Sequence, residues 1–212
     1  SSTRQAPRLS TAGEPGQERR LALELRLLAD VGVVGFPNAG KSSLVARLSA
    51  ARPKIADYPF TTLQPHLGVV RIDEGASFVI ADVPGIIEGA HKGIGLGTRF
   101  LRHLSRTGTL VHLIDLSCPD QRDPLVDIET IDAELANAEV SMAEKPRILV
   151  ANKMDLPEAR ENFEILRRHL EERGKEILAI STATGEGLSE LVGRIVAELR
   201  RLQAEAKESD DD

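Results

Sequence analysis

One short segment constrains this chain more than any other. Gly35-Phe36-Pro37-Asn38-Ala39-Gly40-Lys41-Ser42 follows an apolar run at 27–34 and precedes a stretch in which Leu44, Val45 and Leu48 share one helical face. This is G-x-x-x-x-G-K-S in the strand–loop–helix setting that the motif requires. Its glycines let backbone N–H groups converge on phosphate oxygens, and the helix that follows points its positive end at them. Lys41 is placed to reach the β and γ phosphates of a nucleoside triphosphate. The Ser42 hydroxyl is placed to ligate Mg²⁺, and Ser43 lies beside it in the same helical turn.

The rest of the chain repeats the strand-then-helix pattern. Strand-length apolar runs rich in Val and Ile recur at 67–72, 78–83, 110–116, 148–151 and 177–180. Helical spacing separates most of them. Ile128, Ile131, Leu135, Ala138 and Met142 step by three and four, as do Leu188, Leu191, Val192, Ile195, Leu199 and Leu202. Only the runs at 67–72 and 78–83 lack a helix between them, and Gly75 marks a tight turn there, which predicts an antiparallel hairpin. The expectation is a three-layer α/β fold: a six-stranded, mostly parallel sheet with one antiparallel strand and helices on both faces.

Aromatic residues make up only 3% of the 212, with no Trp, so the core must be built from Val, Ile, Leu and Ala. The net charge of −6 argues against sequence-blind nucleic-acid binding through bulk charge. Cys118 is the one cysteine, which excludes an internal disulfide and points to a reducing, cytoplasmic setting. No apolar run approaches the roughly 18 residues of a membrane-spanning helix. Residues 1–18 have linker composition and read as the connection from a missing upstream domain. Residues 19–203 read as the nucleotide-binding domain, and 204–212 as a disordered acidic tail.

The phosphate loop says that a nucleotide binds; other segments say which. Asn152-Lys153-Met154-Asp155 directly follows the run at 148–151, at a strand's carboxyl end, where such sheets bind ligands. A carboxylate at Asp155 accepts hydrogen bonds from the N1–H and exocyclic amino group of guanine, and adenine offers neither donor on that edge. Asn152 is placed to tie neighbouring loops together, and the Lys153 stem to lie against the base. Ser181-Thr182-Ala183, after the last run, is placed to complete the base pocket with backbone N–H groups. Asp82-Val83-Pro84-Gly85 closes the third run, with Asp82 positioned to hold Mg²⁺ through water and the Gly85 N–H to sense the γ phosphate. Upstream lies Asp57-Tyr58-Pro59-Phe60-Thr61-Thr62-Leu63-Gln64. One of its threonines would ligate Mg²⁺ through its hydroxyl and the γ phosphate through its N–H; spacing alone does not choose between Thr61 and Thr62. Contacts of this kind vanish on hydrolysis and make the loop a switch.

In this order the five elements resemble the translation-factor-type GTPases. The wording Gly-Phe-Pro-Asn-Ala-Gly-Lys-Ser, Asp57-Tyr58-Pro59-Phe60-Thr61-Thr62-Leu63 and Asp82-Val83-Pro84-Gly85-Ile86-Ile87-Glu88-Gly89-Ala90 resembles the Obg family more narrowly. So does Gly95-Leu96-Gly97 with Phe100-Leu101-Arg102-His103 after it. The resemblance runs from about Gly13 to Leu202. It implies a P-loop G domain and a Mg²⁺-dependent, GTP-hydrolysing switch that acts in large ribosomal subunit assembly and in growth and stress control. It selects Thr62 as the switch ligand, so that Ser42, Thr62 and, through water, Asp82 form the metal set, and Lys41, Thr62 and Gly85 the catalytic set. It also brings guanosine tetraphosphate as a candidate ligand. The chain is expected to be a monomer.

One departure bears on mechanism. Ras-type GTPases place a water-orienting Gln just after D-x-x-G, and here that position is Ile86, so intrinsic hydrolysis is expected to be slow. Several GTPases that lack the Gln and resemble this one in the phosphate loop use an Asn in the place of Asn38 to hold K⁺; the alternative is that Asn38 braces the loop through its side-chain amide. Secondary candidates are weaker. His91 reads as a solvated imidazole more readily than as a general base. Arg99, Arg102, His103 and Arg106 form a helix face that suits solvent more readily than RNA phosphate. Cys118 reads as an inert thiol and His112 as a satisfied core histidine. A nucleotide kinase would have no use for a guanine-reading N-K-x-D; a non-hydrolysing guanine-nucleotide module is the competing reading that Ile86 leaves open.

Overall fold

The computed structural model describes residues 29–50, 54–55, 66–73, 75–82, 107–118, 122–138 and 144–210, with Gly13 and Gly16 besides. Strands form mainly at the Val- and Ile-rich runs. These are β1 (Val31–Val34), β3 (His66–Asp73), β4 (Ala76–Asp82), β5 (Thr109–Asp115), β6 (Arg147–Asn152) and β7 (Ile177–Ala179), with a two-residue β2 (Lys54–Ile55) at the edge. Helices are α1 (Lys41–Leu48), α2 (Pro124–Ala138), α3 (Pro157–Glu172) and α4 (Leu188–Asp210). The sheet order is β2-β3-β4-β1-β5-β6-β7. β3 alone runs against the rest, paired antiparallel with β2 and β4, while β4, β1, β5, β6 and β7 are mutually parallel.

Side chains alternate across the sheet and sort the core into two layers. Val31, Val33, Val111, Leu113 and Val150 pack with Leu44 of α1 and Leu191 and Ile195 of α4. Ile114, Leu149 and Ala151 pack on the opposite face with Ile128 of α2 and Leu166 and Leu170 of α3. Burying large aliphatic side chains of this kind contributes about 1.5–3 kcal/mol each, which makes this two-faced sheet the rigid part of the molecule. The parallel strands all end at one edge, and the loops after β1, β6 and β7 therefore meet there beside the end of β4.

The three-layer α/β fold is the one the sequence implies, with four differences in detail. The sheet has a seventh strand, because β2 is too short to carry a periodicity. β1 starts at Val31, with residues 27–28 outside the described set. α3 adds a helix in which Ala159, Phe163, Leu166 and Leu170 step by four, three and four and face the core. Residues expected in a disordered tail from 204 are instead helical to Asp210, where Arg201 pairs with Glu198 and Glu205 one turn away on either side. No helix among the described residues is long and apolar enough to cross a membrane.

Candidate nucleotide-binding site

The phosphate loop is built by close approach of backbones. A Cβ at Gly35 would lie 2.3 Å from the Leu113 carbonyl oxygen of neighbouring β5, and one at Gly40, where φ is +99°, would lie 2.4 Å from Asn152 Nδ2. Only glycine fits either place. Asn38 also has a left-handed φ of 63°, a conformation Asn tolerates better than most residues, and it stands exposed with Pro37 at the crown of the loop. The Lys41 ammonium donates to the carbonyls of Gly35 at 3.0 Å and Phe36 at 2.9 Å, so it lies within the loop's curve. Gly40 is the N-cap of α1, and Ser42 and Ser43 in its first turn are exposed.

β4 runs beside β1, with Val33 paired to Asp82, and so delivers Asp82 to the same place. The Ser42 hydroxyl donates to Asp82 Oδ2. Asp82 is only 2% exposed, and its other oxygen, Oδ1, is buried with no hydrogen-bond partner among the described residues. A buried carboxylate oxygen without a donor is costly, so this one points to a missing group. A hydrated divalent cation held by Ser42 would supply such a group, so the residues present fit Mg²⁺. His66, at the start of β3, brings Nδ1 to 3.9 Å from Asp82 Oδ2; no sequence pattern marked it.

The base end is organised by Asn152, fully buried at the end of β6. Its Nδ2 donates to the Ala39 carbonyl at 2.7 Å and to Thr182 Oγ1 at 3.3 Å, and its Oδ1 accepts from the Thr182 N–H at 3.1 Å. One side chain thus joins the phosphate loop to the loop after β7. Ser181 Oγ donates to Asp155 Oδ1 at 2.6 Å and accepts from the Thr184 N–H at 3.1 Å, which orients an exposed carboxylate. Met154 is buried, and its N–H donates to the Ile180 carbonyl, which seats the loop on β7. The Ser181 N–H is used by the Glu186 carbonyl and that of Thr182 by Asn152, so of the three amides expected to face a base only Ala183 remains.

Lys153 has a left-handed φ of 70°, and its ammonium pairs with Asp115 Oδ2 at 2.6 Å. Asp115 Oδ1 in turn accepts from the Ser117 N–H at 3.0 Å and hydroxyl at 2.7 Å. Asp115 and Ser117 carry no motif of their own; the signal was only that β5 must end beside β6, where Asp115 pairs with Asn152. With its ammonium held there, the lysine stem forms one wall beside Asp155.

The remaining assignments lie outside the described residues: Phe60, Thr61, Thr62, Leu63 and Gln64 upstream, and Val83, Pro84, Gly85, Ile86, His91, Arg99, Arg102, His103 and Arg106 downstream. Cys118 is half-buried, and burial, followed by the carboxylates of Asp115, Asp127 and Asp123, pushes its thiol pKa up, away from a reactive thiolate. His112 is 1% exposed in β5, as a core histidine should be, yet its Nδ1 has no partner among the described residues. Burial holds its pKa down at about 4; Asp132 opposes this, and Arg147 and Lys175 add to it.

Comparison with known proteins agrees with this geometry. The family described as 50S ribosome-binding GTPase matches residues 30–153. The protein named GTPase Obg from Desulforudis audaxviator is 56% identical over 204 residues, which is 95% of this chain and 47% of that protein. The chain therefore spans about half the length of the curated relatives it matches. Among solved structures, Era in complex with MgGDPNP and a segment of 16S ribosomal RNA is 28% identical, with a TM-score of 0.60, over 81% of this chain and 56% of that one. The G domain of the Thermotoga maritima FeoB iron transporter is 25% identical, with a TM-score of 0.57, over 81% of this chain and 99% of that one.

Proposed function

The chain belongs to the 50S ribosome-binding GTPase family, and within it to the Obg type, and from that premise we propose that it is a guanine-nucleotide switch that binds GTP and GDP and hydrolyses GTP slowly. The observation that carries the reading is Asn152, which fastens a phosphate loop to a loop holding Asp155 and Ser181. Phosphate-binding and guanine-reading parts are thereby set at a fixed separation before any nucleotide arrives, and preorganisation of this kind favours affinity and discrimination.

Each residue then has a task. Asp155 accepts the two N–H donors of guanine, the Lys153 stem covers the base, and Ala183 N–H faces the carbonyl side. Backbone N–H groups from Asn38 to Ser43 surround the phosphates, and Lys41 moves its ammonium from the Gly35 and Phe36 carbonyls toward the β and γ oxygens. Mg²⁺, when bound, neutralises charge developing on those oxygens; Ser42, Thr62 and, through water, Asp82 would hold it. Thr62 and Gly85 would detect the γ phosphate, so that the segments carrying them differ between GTP and GDP states. Ile86 offers no proton acceptor for the attacking water, which is the ground for the slow intrinsic rate. Asn38 stands exposed at the loop crown, where its side chain would hold K⁺, which would supply positive charge to the phosphates as the bond loosens. The family implies a cytoplasmic role in large-subunit assembly and in growth and stress control, acting as a monomer and open to guanosine tetraphosphate in the same pocket.

The test is single-turnover GTP hydrolysis with and without large ribosomal subunits, together with co-sedimentation on those subunits in GTP, GDP and no nucleotide. The account expects slow hydrolysis alone, acceleration on the particle and GTP-favoured co-sedimentation. Tight GTP binding with no hydrolysis under any condition would favour the non-hydrolysing module instead, and sedimentation independent of nucleotide would remove the switch.

A further inference from the structure

Arg122 belongs to none of the nucleotide motifs, yet it touches the phosphate loop. Its guanidinium carbon lies 3.8 Å from the centroid of the Phe36 ring. Its Nε and one terminal nitrogen donate to the two oxygens of Asp127, at 3.3 and 2.7 Å. Asp127 is in the first turn of α2 and its side chain is 14% exposed. Asp123 Oδ1 accepts from the Leu125 N–H at 2.9 Å, and Pro124 opens the helix, so the segment that carries Arg122 is fixed to the start of α2. A forked ion pair sets the plane of the guanidinium, and that plane lies against an aromatic face: two geometric demands met by one side chain.

Phe36 is an unusual place to fasten. Its ring is held by Arg122, while its carbonyl accepts from the Lys41 ammonium at 2.9 Å. Pro37 and Asn38, the exposed crown of the loop, follow it directly. Fixing the ring therefore fixes the carbonyl on which Lys41 rests and the start of the crown. We propose that Arg122 is a positioning residue: by stacking on Phe36 it holds the phosphate loop in its phosphate-accepting shape and so sets the rate at which nucleotide is released. The inference rests on the guanine-nucleotide reading above. A loop freed from the stack samples more conformations when empty, and bound nucleotide must then order it, which shortens residence.

Release of a fluorescent GDP analogue, chased with excess GDP, tests the idea on the parent, Arg122→Ala, Arg122→Lys, Phe36→Leu, Phe36→Tyr and the Arg122→Ala/Phe36→Leu pair. Losing a partly exposed cation–aromatic contact is expected to speed release about 2- to 30-fold in Arg122→Ala and in Phe36→Leu. The pair should be no faster than the faster single variant, because both remove one contact. Phe36→Tyr, which keeps the ring, should speed release less than Phe36→Leu does. Arg122→Lys should not restore it, since an ammonium has neither the planar face nor the fork. Urea unfolding of each variant separates this role from simple bracing of α2. Arg122→Ala with a lowered urea midpoint and parent-like release would overturn the proposal, as would effects that multiply in the pair. A parent chain that binds no GDP at all would overturn the nucleotide reading itself.

Discussion

Replacing Asn152 by Ala removes the side chain that ties the phosphate loop to the loop after β7. Asn152 is fully buried and makes three hydrogen bonds: to the Ala39 carbonyl, to Thr182 Oγ1 and from the Thr182 N–H. Truncation leaves the Ala39 carbonyl and the Thr182 N–H without their partner. A buried polar group left bare costs about 1–3 kcal/mol. Ala39 is fully buried and takes the upper part of that range, whereas Thr182 is half-buried and can recover some of the loss from water. The expected destabilisation is about 2–4 kcal/mol, a large share of a domain stability of about 5–15 kcal/mol. Asn152→Asp should be at least as harmful. It keeps an acceptor for the Thr182 N–H but sets a carboxylate oxygen against the Ala39 carbonyl, acceptor on acceptor, and buries a charge. Thr182→Ala, which removes only the 3.3 Å bond, should cost under about 1 kcal/mol. Urea unfolding without nucleotide measures these differences, provided the slopes agree among variants. A loss below about 0.5 kcal/mol for Asn152→Ala, or an Asn152→Asp variant as stable as the parent, would refute the tie between the loops.

Three further outcomes are expected. Lys41→Ala should weaken GDP and GTP alike, whereas Thr62→Ala should spare GDP and weaken the GTP state; equal losses in the Thr62 variant, measured by titration calorimetry, would contradict its role at the γ phosphate. Hydrolysis should be faster in K⁺ than in Na⁺ at equal ionic strength, by less than the roughly 10³–10⁵ of an arginine finger, because the ion carries one charge and no fork; Asn38→Ala should lose the difference, and equal rates in both salts would remove K⁺. Buried His112 stays neutral in the folded chain down to pH of about 4 but takes up a proton in the unfolded chain near 6.5. Stability from that neutral state is therefore present above pH 6.5 and lost as pH falls toward 4, by up to about 1.4 kcal/mol per pH unit. Urea midpoints at pH 7, 6 and 5 should fall more steeply for the parent than for His112→Leu, and parallel slopes would show that His112 does not titrate this way.

What could be read from the sequence was whatever leaves a pattern along the chain. Val and Ile runs fix strands because a strand covered on both faces is mostly apolar, and β5, with Leu110, Val111, Leu113 and Ile114 all buried around His112, shows it. The phosphate loop and Asn152-Lys153-Met154-Asp155 were legible because close backbone approach and base recognition restrict residue type at fixed spacing. Contacts made across the fold were not. Asp115 meets Lys153, Arg122 meets Phe36, and His66 meets Asp82 through strand order and register, and no local spacing encodes those. The helical stretch from 204 to 210 misled for another reason: its composition is that of a solvated tail, and helix continues there because α4 is already nucleated by Leu191 and Ile195 on the sheet. The part given to the amides after β7 was overestimated, since sequence could not show that Asn152 and the Glu186 carbonyl already use two of them.

The central claim, that this site reads guanine through Asp155, is tested most directly by base specificity. Asp155 is exposed, with Oδ1 held by Ser181 at 2.6 Å. Competition binding of GDP, xanthosine diphosphate and ADP to the parent and to Asp155→Asn compares the two hydrogen-bond polarities on one scaffold. An amide donates to the carbonyl that replaces guanine's amino group, and a site built to hydrogen-bond its ligand rejects an analogue that leaves a polar partner bare. The account predicts that the parent prefers GDP strongly over both alternatives, and that Asp155→Asn loses GDP affinity while gaining xanthosine diphosphate. A variant that keeps the parent's preference for GDP would contradict it.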